Sequence, residues 1–218
     1  MRNFKGSTLL KQLLQLRIMS PVILGMLIFG MMYMRLCTNE SNIDGVDYFE
    51  KGQYETALKC FNDYLLLNPN DTKTLYNRGR CYEILGKPDE AIDDYYSVID
   101  RDPNNISALI SCTQALYNSE KFESAVRIGE LAALTGPENH LAHYYNGRAN
   151  HKYGDLDKAL TSYNMAIEIN PDFGLAYFQR GSLMLTIGYP PFACYDLKTA
   201  AILNVEGAKE ALEMYCIK

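Results

Sequence analysis

Proline recurs at one fixed interval along most of this chain, and that regularity constrains the fold more than any other feature of the sequence. Four prolines stand 34 residues apart, at Pro69, Pro103, Pro137 and Pro171. Alanine keeps the same interval at Ala57, Ala91, Ala125, Ala159 and Ala193. Because a sequence period of about 20–50 residues is typical of repeat architectures, we predict a chain of similar units that each pack on their neighbours.

Two series of glycines interlock with the prolines and indicate what the repeat is built from. The first series is Gly45, Gly79, Gly147 and Gly181, with Thr113 in the third copy. The second series is Gly52, Gly86, Gly154 and Gly188, with Ser119 in the third copy. We interpret the first glycine as a close contact between two helices of one repeat, A and B. The second ends helix A in the left-handed backbone region, and proline begins the link to the next repeat because it cannot continue a helix.

Large apolar residues between these markers are predicted to fill the core, at Tyr48, Tyr54, Phe61, Tyr82, Tyr95, Phe122, Tyr163 and Tyr177. The whole pattern resembles the tetratricopeptide repeat, in copies at 38–71, 72–105, 106–139, 140–173 and 174–207. The resemblance implies an all-α fold, with five antiparallel helix pairs stacked into a right-handed α-solenoid that has a concave face. The third copy lacks its first glycine, and the fifth has Val205 in place of proline. A cap helix is predicted over 206–217, with its inward face formed by Ala208, Ala211, Leu212 and Tyr215.

Charge is divided unequally between the first 36 residues and the rest of the chain. Residues 1–36 have a net charge of +5 and the remaining residues −10, although the whole chain is only −5. An uncharged run of 17 residues extends from Ile18 to Met34. As a helix it is about 25 Å long, close to the roughly 30 Å thickness of a hydrocarbon core. We therefore predict a cytoplasmic lead and single transmembrane helix over 1–37, followed by the repeat domain over 38–218.

The orientation of this segment follows from its basic residues. Four of them precede the predicted span, so the N-terminus is expected to stay in the cytoplasm as an uncleaved signal-anchor. The repeats then lie across the membrane, which in a bacterium means an inner-membrane protein with a periplasmic domain. Two alternatives stay open, a cleaved signal peptide and a lipoprotein modified at Cys37.

No residue set in the sequence predicts an enzyme. The three histidines, His140, His143 and His151, are not spaced as a zinc site with any cysteine, and phosphate-loop, GxSxG and HExxH motifs are missing from the sequence. We predict no cofactor, no metal and, from the negative net charge, no nucleic-acid partner. The pair Asp93-Asp94 is interpreted as part of a solvated helix face.

Two cysteines near the C-terminus predict a disulfide. Cys194 and Cys216 lie at nearly equal distances on either side of the turn expected near 204–206. In an antiparallel helix pair that placement brings the two side chains together, and a periplasmic location permits their oxidation. Cys81 and Cys112 are interpreted as buried residues.

The resemblance also assigns a binding groove. In tetratricopeptide-repeat proteins the concave face is lined mainly by positions 2, 5, 9 and 12 of each helix A. The groove residues we select on that basis are Lys73, Tyr76, Arg80, Gln114, Tyr117, Tyr144, Arg148, His151 and Phe178. Aromatic rings supply contact area and arginines bind carboxylates bidentately. The alternative, that some of these tyrosines only pack against neighbouring helices, stays open.

These features predict a membrane-anchored scaffold that binds a peptide or helix of another protein in its groove. Of the residues with which some family members hold the C-terminal carboxylate of chaperone tails, Asn77 is the only clear match, so that partner is not expected. One alternative is a structural accessory subunit of a membrane complex, held by its transmembrane helix. A second is an organelle import receptor, which would place the repeats in the cytosol.

Overall fold

A computed structural model of the chain describes residues 41–216, which form eleven α-helices and no strand. In chain order they are α1 (Ser41–Glu50), α2 (Tyr54–Leu67), α3 (Thr72–Ile84), α4 (Pro88–Arg101), α5 (Ile106–Asn118), α6 (Phe122–Thr135), α7 (His140–Tyr153), α8 (Leu156–Ile169), α9 (Gly174–Thr186), α10 (Pro190–Ile202) and α11 (Ala208–Cys216). The predicted transmembrane helix at 18–34 lies outside the described residues. Between residues 41 and 216, none of the helices is both long enough and apolar enough to cross a membrane.

The chain divides into two compact units between Pro69 and Asn70. In the first unit α1 packs on α2. In the second unit each helix from α3 to α11 packs on the next one along the chain, and α5 also contacts α7, so that the A helices of the third and fourth repeats are neighbours. The prediction of an all-α fold built from helix pairs is confirmed.

Glycine on helix A makes room for an aromatic ring on helix B of the same repeat. A Cβ atom placed on Gly147 would lie 2.7 Å from ring carbons of Tyr163, and one on Gly79 would lie 2.7 Å from Tyr95. Such distances are too short for a Cβ atom unless the ring moves, so packing favours glycine at Gly79 and Gly147. Phe61, Tyr95 and Tyr163 are fully buried, whereas the other predicted core residues, Tyr48, Tyr54, Tyr82, Phe122 and Tyr177, are only half-buried.

The second glycine series ends the A helices as predicted, but the third copy was assigned to the wrong residue. Gly86 and Gly154 have φ angles of 70° and 102°. Ser119 has a φ of −87°, and its neighbour Glu120, which stands 34 residues after Gly86, has a φ of 57°. The left-handed turn therefore persists in the third repeat without glycine, at a cost of about 1–2 kcal/mol.

Short polar side chains begin three of the A helices. The Asp71 carboxylate accepts a hydrogen bond from the backbone N–H of Thr74, and the Asn105 amide oxygen accepts one from that of Ala108. Asn139 caps α7 in the same way. Capping satisfies backbone donors that have no partner within the helix, so the last residue of each of the first three predicted repeats fixes the start of the next, whereas Phe173 at the end of the fourth makes no side-chain cap.

Two surface predictions are wrong. Asp94 is only 4% exposed. Its carboxylate accepts two hydrogen bonds from Arg78 Nε and Nη2, at 2.8 and 2.6 Å, which compensate its burial. The prediction failed because Arg78 lies on the preceding helix, 16 residues away in the sequence. Tyr215 was predicted to face inward from the cap helix but is 55% exposed. That helix instead buries Ala208 and half-buries Ala211 and Leu212.

The structure contains a disulfide between Cys194 of α10 and Cys216 of α11, whose Cα atoms are 5.6 Å apart. Cys81 and Cys112 are fully buried. Burial raises the pKa of the Cys81 thiol to about 11 and that of Cys112 to about 12. The bond joins the last described helix to the body of the second unit.

Candidate partner-binding groove

A cavity of about 410 Å³ opens among four helices of the second unit. Helix α5 supplies Tyr117, and the other walls come from α7, α8 and α9. Its lining is formed by Tyr117, Arg148, His151, Lys152, Leu156, Tyr163, Gln179, Ser182 and Thr186. This lining contains two permanent cations and no carboxylate, so the cavity is suited to an anionic group.

The side chain of Arg148 lies across a tyrosine ring. Its Cζ is 4.1 Å from the ring centroid of Tyr117, and 5.7 and 5.8 Å from those of Tyr144 and Tyr145. Stacking on a ring face attracts the cation and leaves the edge of the guanidinium for hydrogen bonds. Among the residues that the structure describes, no group accepts a hydrogen bond from Arg148 Nε, which is nevertheless buried.

The floor of the cavity holds a second polar group without a partner. Tyr163 is fully buried, and within residues 41–216 nothing hydrogen-bonds to its hydroxyl. Burial raises the pKa of that phenol, so it stays protonated and keeps an O–H to donate. Burial, reinforced by the charge of Lys152, lowers the pKa of His151, which is the direction expected of an imidazole held near cations.

Three of the nine predicted groove residues meet at this cavity, namely Tyr117, Arg148 and His151. Tyr144 is a correction: it is 4% exposed and packs against Tyr163 and Phe173, with ring centroids 6.4 and 5.0 Å away. Its ring therefore packs beside Arg148 and does not present an open surface.

The remaining predicted groove residues lie elsewhere on the second unit. Lys73 and Arg80 are exposed on α3, and the Tyr76 hydroxyl is 3.3 Å from Ser111 Oγ. Gln114 is half-buried on α5. Phe178 reaches toward the start of α11, where a Cβ atom on Gly207 would be 3.9 Å from its ring. None of these five is part of the cavity lining.

Sequence reasoning missed Lys152, Gln179 and Thr186 as lining residues. Lys152 stands four residues after Arg148, and Thr186 stands four after Ser182. Side chains four residues apart share one helix face, so extending the selection from Arg148 by one helical turn would have identified Lys152, whereas Thr186 lies about two turns beyond the selected Phe178.

A second surface is apolar and lies on α10. Phe192 and Tyr195 are 64% and 68% exposed, and together with Met184 and Pro191 they line a depression of about 550 Å³. The buried Arg180–Asp196 ion pair forms its base. Clustered exposed rings of this kind mark interaction surfaces.

Metal ligands are not grouped in residues 41–216: no set of three His, Cys, Asp or Glu side chains there could hold an ion. His143 Nε2 instead lies 2.9 Å from the Pro137 carbonyl oxygen. The ring of His140 packs edge-on against Phe173 at 4.8 Å.

Comparison with known sequences identifies the repeats. Models described as "Tetratricopeptide repeat" match residues 48–71 and 72–105, and one described as "TPR repeat" matches residues 147–188. The human (Homo sapiens) protein "DnaJ homolog subfamily C member 7" is 35% identical over 88 residues, which is 38% of this chain and 18% of that protein. The chain thus spans about a fifth of the length of this curated relative.

Solved structures resemble the chain over more of its length. The crystal structure of MamA is 25% identical, with a TM-score of 0.69, and the match covers 76% of this chain and 96% of that one. A MamA structure from Desulfovibrio magneticus RS-1 is 19% identical, with a TM-score of 0.70 over 75% of this chain and 93% of that one. The described residues therefore form an all-α, solenoid-like fold similar to that of these solved structures, and the three matched ranges resemble tetratricopeptide repeats.

Proposed function

We propose that the chain is a membrane-anchored, non-enzymatic scaffold that binds a segment of a partner protein along its A helices. The observation that carries this proposal is the cavity lined by Tyr117, Arg148 and Ser182, which draws one residue from each of three consecutive A helices. A groove that crosses several repeats suits an extended peptide or one face of a helix.

The character of the lining supports a peptide partner over a small metabolite. The cavity is open on one side and combines a stacked arginine with half-buried tyrosine and polar side chains. Arginine and tyrosine are the residues that carry most binding energy at protein interfaces. Their rigid arrangement lowers the entropy that a partner must lose on docking.

Photocrosslinking in native membranes tests this proposal. A photoreactive amino acid at Ser182, inside the cavity, should yield an adduct with a specific partner protein. The matched control is the same group at Lys198, which is exposed on α10 and does not belong to the cavity lining. The adduct should disappear in an Arg148→Glu variant. Equal labelling from both positions, or labelling that is insensitive to Arg148→Glu, would contradict a groove-bound partner.

The membrane anchor and the location are part of the same proposal. The uncharged run at 18–34 and the basic residues before it support a single span with the repeats in the periplasm. The disulfide between Cys194 and Cys216 also supports an oxidising compartment. Protease added to sealed inside-out and right-side-out vesicles checks the topology: digestion of the repeats from the cytoplasmic side would overturn it.

The exposed rings on α10 favour a second candidate, a structural subunit of a membrane complex that docks through this outer surface. Substituting Phe192→Ser and Tyr195→Ser would then release the chain from its complex, whereas Arg148→Glu would not. Exchange of residues 18–34 for an unrelated transmembrane helix would also disrupt such a complex, but it would leave a groove-bound partner in place.

A further inference from the structure

From the geometry around Arg148 we infer that the cavity is a carboxylate-binding site, which takes an acidic side chain or the C-terminal carboxylate of the partner. The inference rests on the proposed function, because it names the chemistry by which the groove recognises its ligand. The residues assigned are Arg148, Tyr163 and Lys152.

The first step concerns the free edge of Arg148. In the same unit, Arg78 and Arg180 each donate from Nε and Nη2 to the two oxygens of one aspartate, Asp94 and Asp196, at 2.6–2.8 Å. This chain therefore already uses the Nε edge of arginine as a bidentate carboxylate clamp. Arg148 offers the same edge with Nε buried, and no carboxylate within residues 41–216 forms an ion pair with it.

The second step concerns the buried hydroxyl. A polar group that is buried without a hydrogen bond costs about 1–3 kcal/mol, so an orphaned Tyr163 O–H on the cavity floor is a cost unless a ligand satisfies it. The phenol remains protonated because burial raises its pKa. The neutral hydroxyl can therefore donate a hydrogen bond to an anion, and it carries no negative charge that would repel one.

The third step concerns net charge and shape. Lys152 is exposed at the rim and adds a second cation without entering the floor. Tyr117 covers one face of the guanidinium, with its ring centroid 4.1 Å from Arg148 Cζ, which favours an acceptor that approaches the edge. A planar acceptor with two oxygens matches that edge, so a carboxylate fits better than a tetrahedral anion.

This site differs from the carboxylate clamp to which Asn77 was compared. That clamp uses positions that this chain fills with Val46, Ser107 and Ser111 in the first and third copies, and Arg148 stands in the fourth copy at the helix-A position that Val46 has in the first. The groups here are one stacked arginine, one buried phenol from a B helix and one rim lysine. A partner that carries its acid inside the sequence can therefore be bound as well as one that ends in it.

Nuclear magnetic resonance of the arginine side chains tests the inference on the purified full-length chain in detergent. The probes are N-acetylglycine, which mimics a C-terminus, the α-amide of N-acetylglutamate, which mimics an acidic side chain, and N-acetylglycinamide, which is neutral. The Arg148 Nε–H resonance should shift saturably with one or both carboxylates and not with the amide. The tighter of the two carboxylates identifies the source.

Three variants sharpen the result. Arg148→Gln should weaken carboxylate binding by at least about tenfold, as expected for a charge-assisted hydrogen bond. Tyr163→Phe, which keeps the ring, should weaken it by about two- to tenfold. Lys209→Gln removes an equal charge from the exposed surface of α11 and should leave the affinity unchanged.

Three outcomes would overturn the assignment. These are no shift of the Arg148 resonance at 50 mM carboxylate, tighter binding of inorganic phosphate than of either carboxylate, or loss of affinity in Lys209→Gln equal to that in Arg148→Gln. If the Ser182 crosslink to a partner persists while the carboxylates fail, only the ligand chemistry is wrong. If the carboxylates bind but no partner is captured from the groove, the proposed function fails and the site stands.

Discussion

Thr113 of α5 faces Gly129 of α6. In the other repeats helix A carries the glycine and helix B the large side chain, so the third repeat has the opposite arrangement. A Cβ atom on Gly129 would lie 3.2 Å from Thr113 Cγ2 and 3.1 Å from the Cα of Asn146. Gly129 stands 34 residues after Tyr95 and 34 before Tyr163. The third repeat therefore keeps the close helix contact by exchanging which helix carries the small residue.

Gly129→Leu is expected to destabilise the chain by about 1–3 kcal/mol, because a Cβ atom already makes tight contacts there and the rest of the leucine side chain overpacks the site. A second change, Thr113→Gly, should recover only part of the loss, since the Asn146 backbone still blocks the site. Urea unfolding followed by circular dichroism measures both. The control is Glu123→Leu on the exposed face of α6, which should cost less than about 1 kcal/mol; an equal loss there would contradict the packing argument.

The reversal also shows which parts of the fold a single sequence can predict. The 34-residue register located the helix pairs and the left-handed turns because each depends on local steric rules at one position. The register itself holds in the third repeat, but residue type misleads there: Thr113 and Gly129 exchange large and small side chains, and Glu120 takes the left-handed turn without being glycine.

The groove was less predictable than the helices for a related reason. Tyr117 and Tyr144 occupy groove positions 12 and 5 of their A helices. Phe173 and Tyr163 pack against Tyr144, while Tyr117 stays half-exposed beside Arg148. Which tyrosine is covered depends on side chains from the next helices, which are remote in sequence. The buried hydroxyl of Tyr163 was hidden in the same way, since its core position gave no sign of facing a cavity.

Tyr95 and Tyr163 occupy equivalent positions two repeats apart but differ in their hydroxyl groups. The Tyr95 hydroxyl donates a hydrogen bond to Glu83 Oε2, whereas that of Tyr163 has no partner among the described residues. Tyr95→Phe should therefore lower the free energy of unfolding by about 1.5–3 kcal/mol, the value of a hydrogen bond to a charged group. Tyr163→Phe should leave it unchanged or raise it slightly.

Chemical denaturation of the two variants side by side measures this difference, and each serves as the size-matched control of the other. The loss in Tyr95→Phe should be larger at pH 7 than at pH 4. Burial raises the pKa of Glu83, and the hydrogen bond from Tyr95 opposes that rise. Removing the hydroxyl therefore raises the pKa of Glu83 further, in the folded state alone. The charged carboxylate at pH 7 then costs more stability than the protonated one at pH 4. Equal losses in the two variants would show that the hydroxyl of Tyr163 has a partner.

The buried ion pair between Arg78 and Asp94 should respond differently to single and double substitution. Arg78→Met leaves Asp94 buried without its partner and should cost about 3–5 kcal/mol at pH 7. The double variant Arg78→Met/Asp94→Leu should be close to the parent, because apolar replacement of both partners is often neutral. The third repeat already carries Cys112 and Ile128 at the equivalent positions.

The pH dependence of Arg78→Met provides a second measurement. Burial raises the pKa of Asp94 even beside Arg78, and removal of the cation raises it further in the folded state but not in the unfolded state. A raised carboxyl pKa favours folding below the unfolded-state value and loses that contribution as the pH rises through the folded-state value. The deficit of the variant should therefore be greatest near pH 7 and shrink toward pH 4. Lys121→Met, which breaks the exposed pair with Asp89, should change stability little at any pH.

The disulfide between Cys194 and Cys216 is expected to hold α11 against α10. The two cysteines are 22 residues apart in sequence, and closing a loop of that length stabilises a fold by about 3 kcal/mol in the chain-entropy treatment. Reduction should therefore lower the stability of the C-terminal end first.

Lys209 is exposed on α11, so trypsin cleavage after it reports local opening of that helix. Cleavage should accelerate on addition of a phosphine reductant and should already be fast, and insensitive to the reductant, in the Cys194→Ser/Cys216→Ser variant. Cleavage at the same rate in the oxidised, reduced and double-serine chains would show that packing of Ala208 and its neighbours, without the bond, is sufficient to hold the last helix in place.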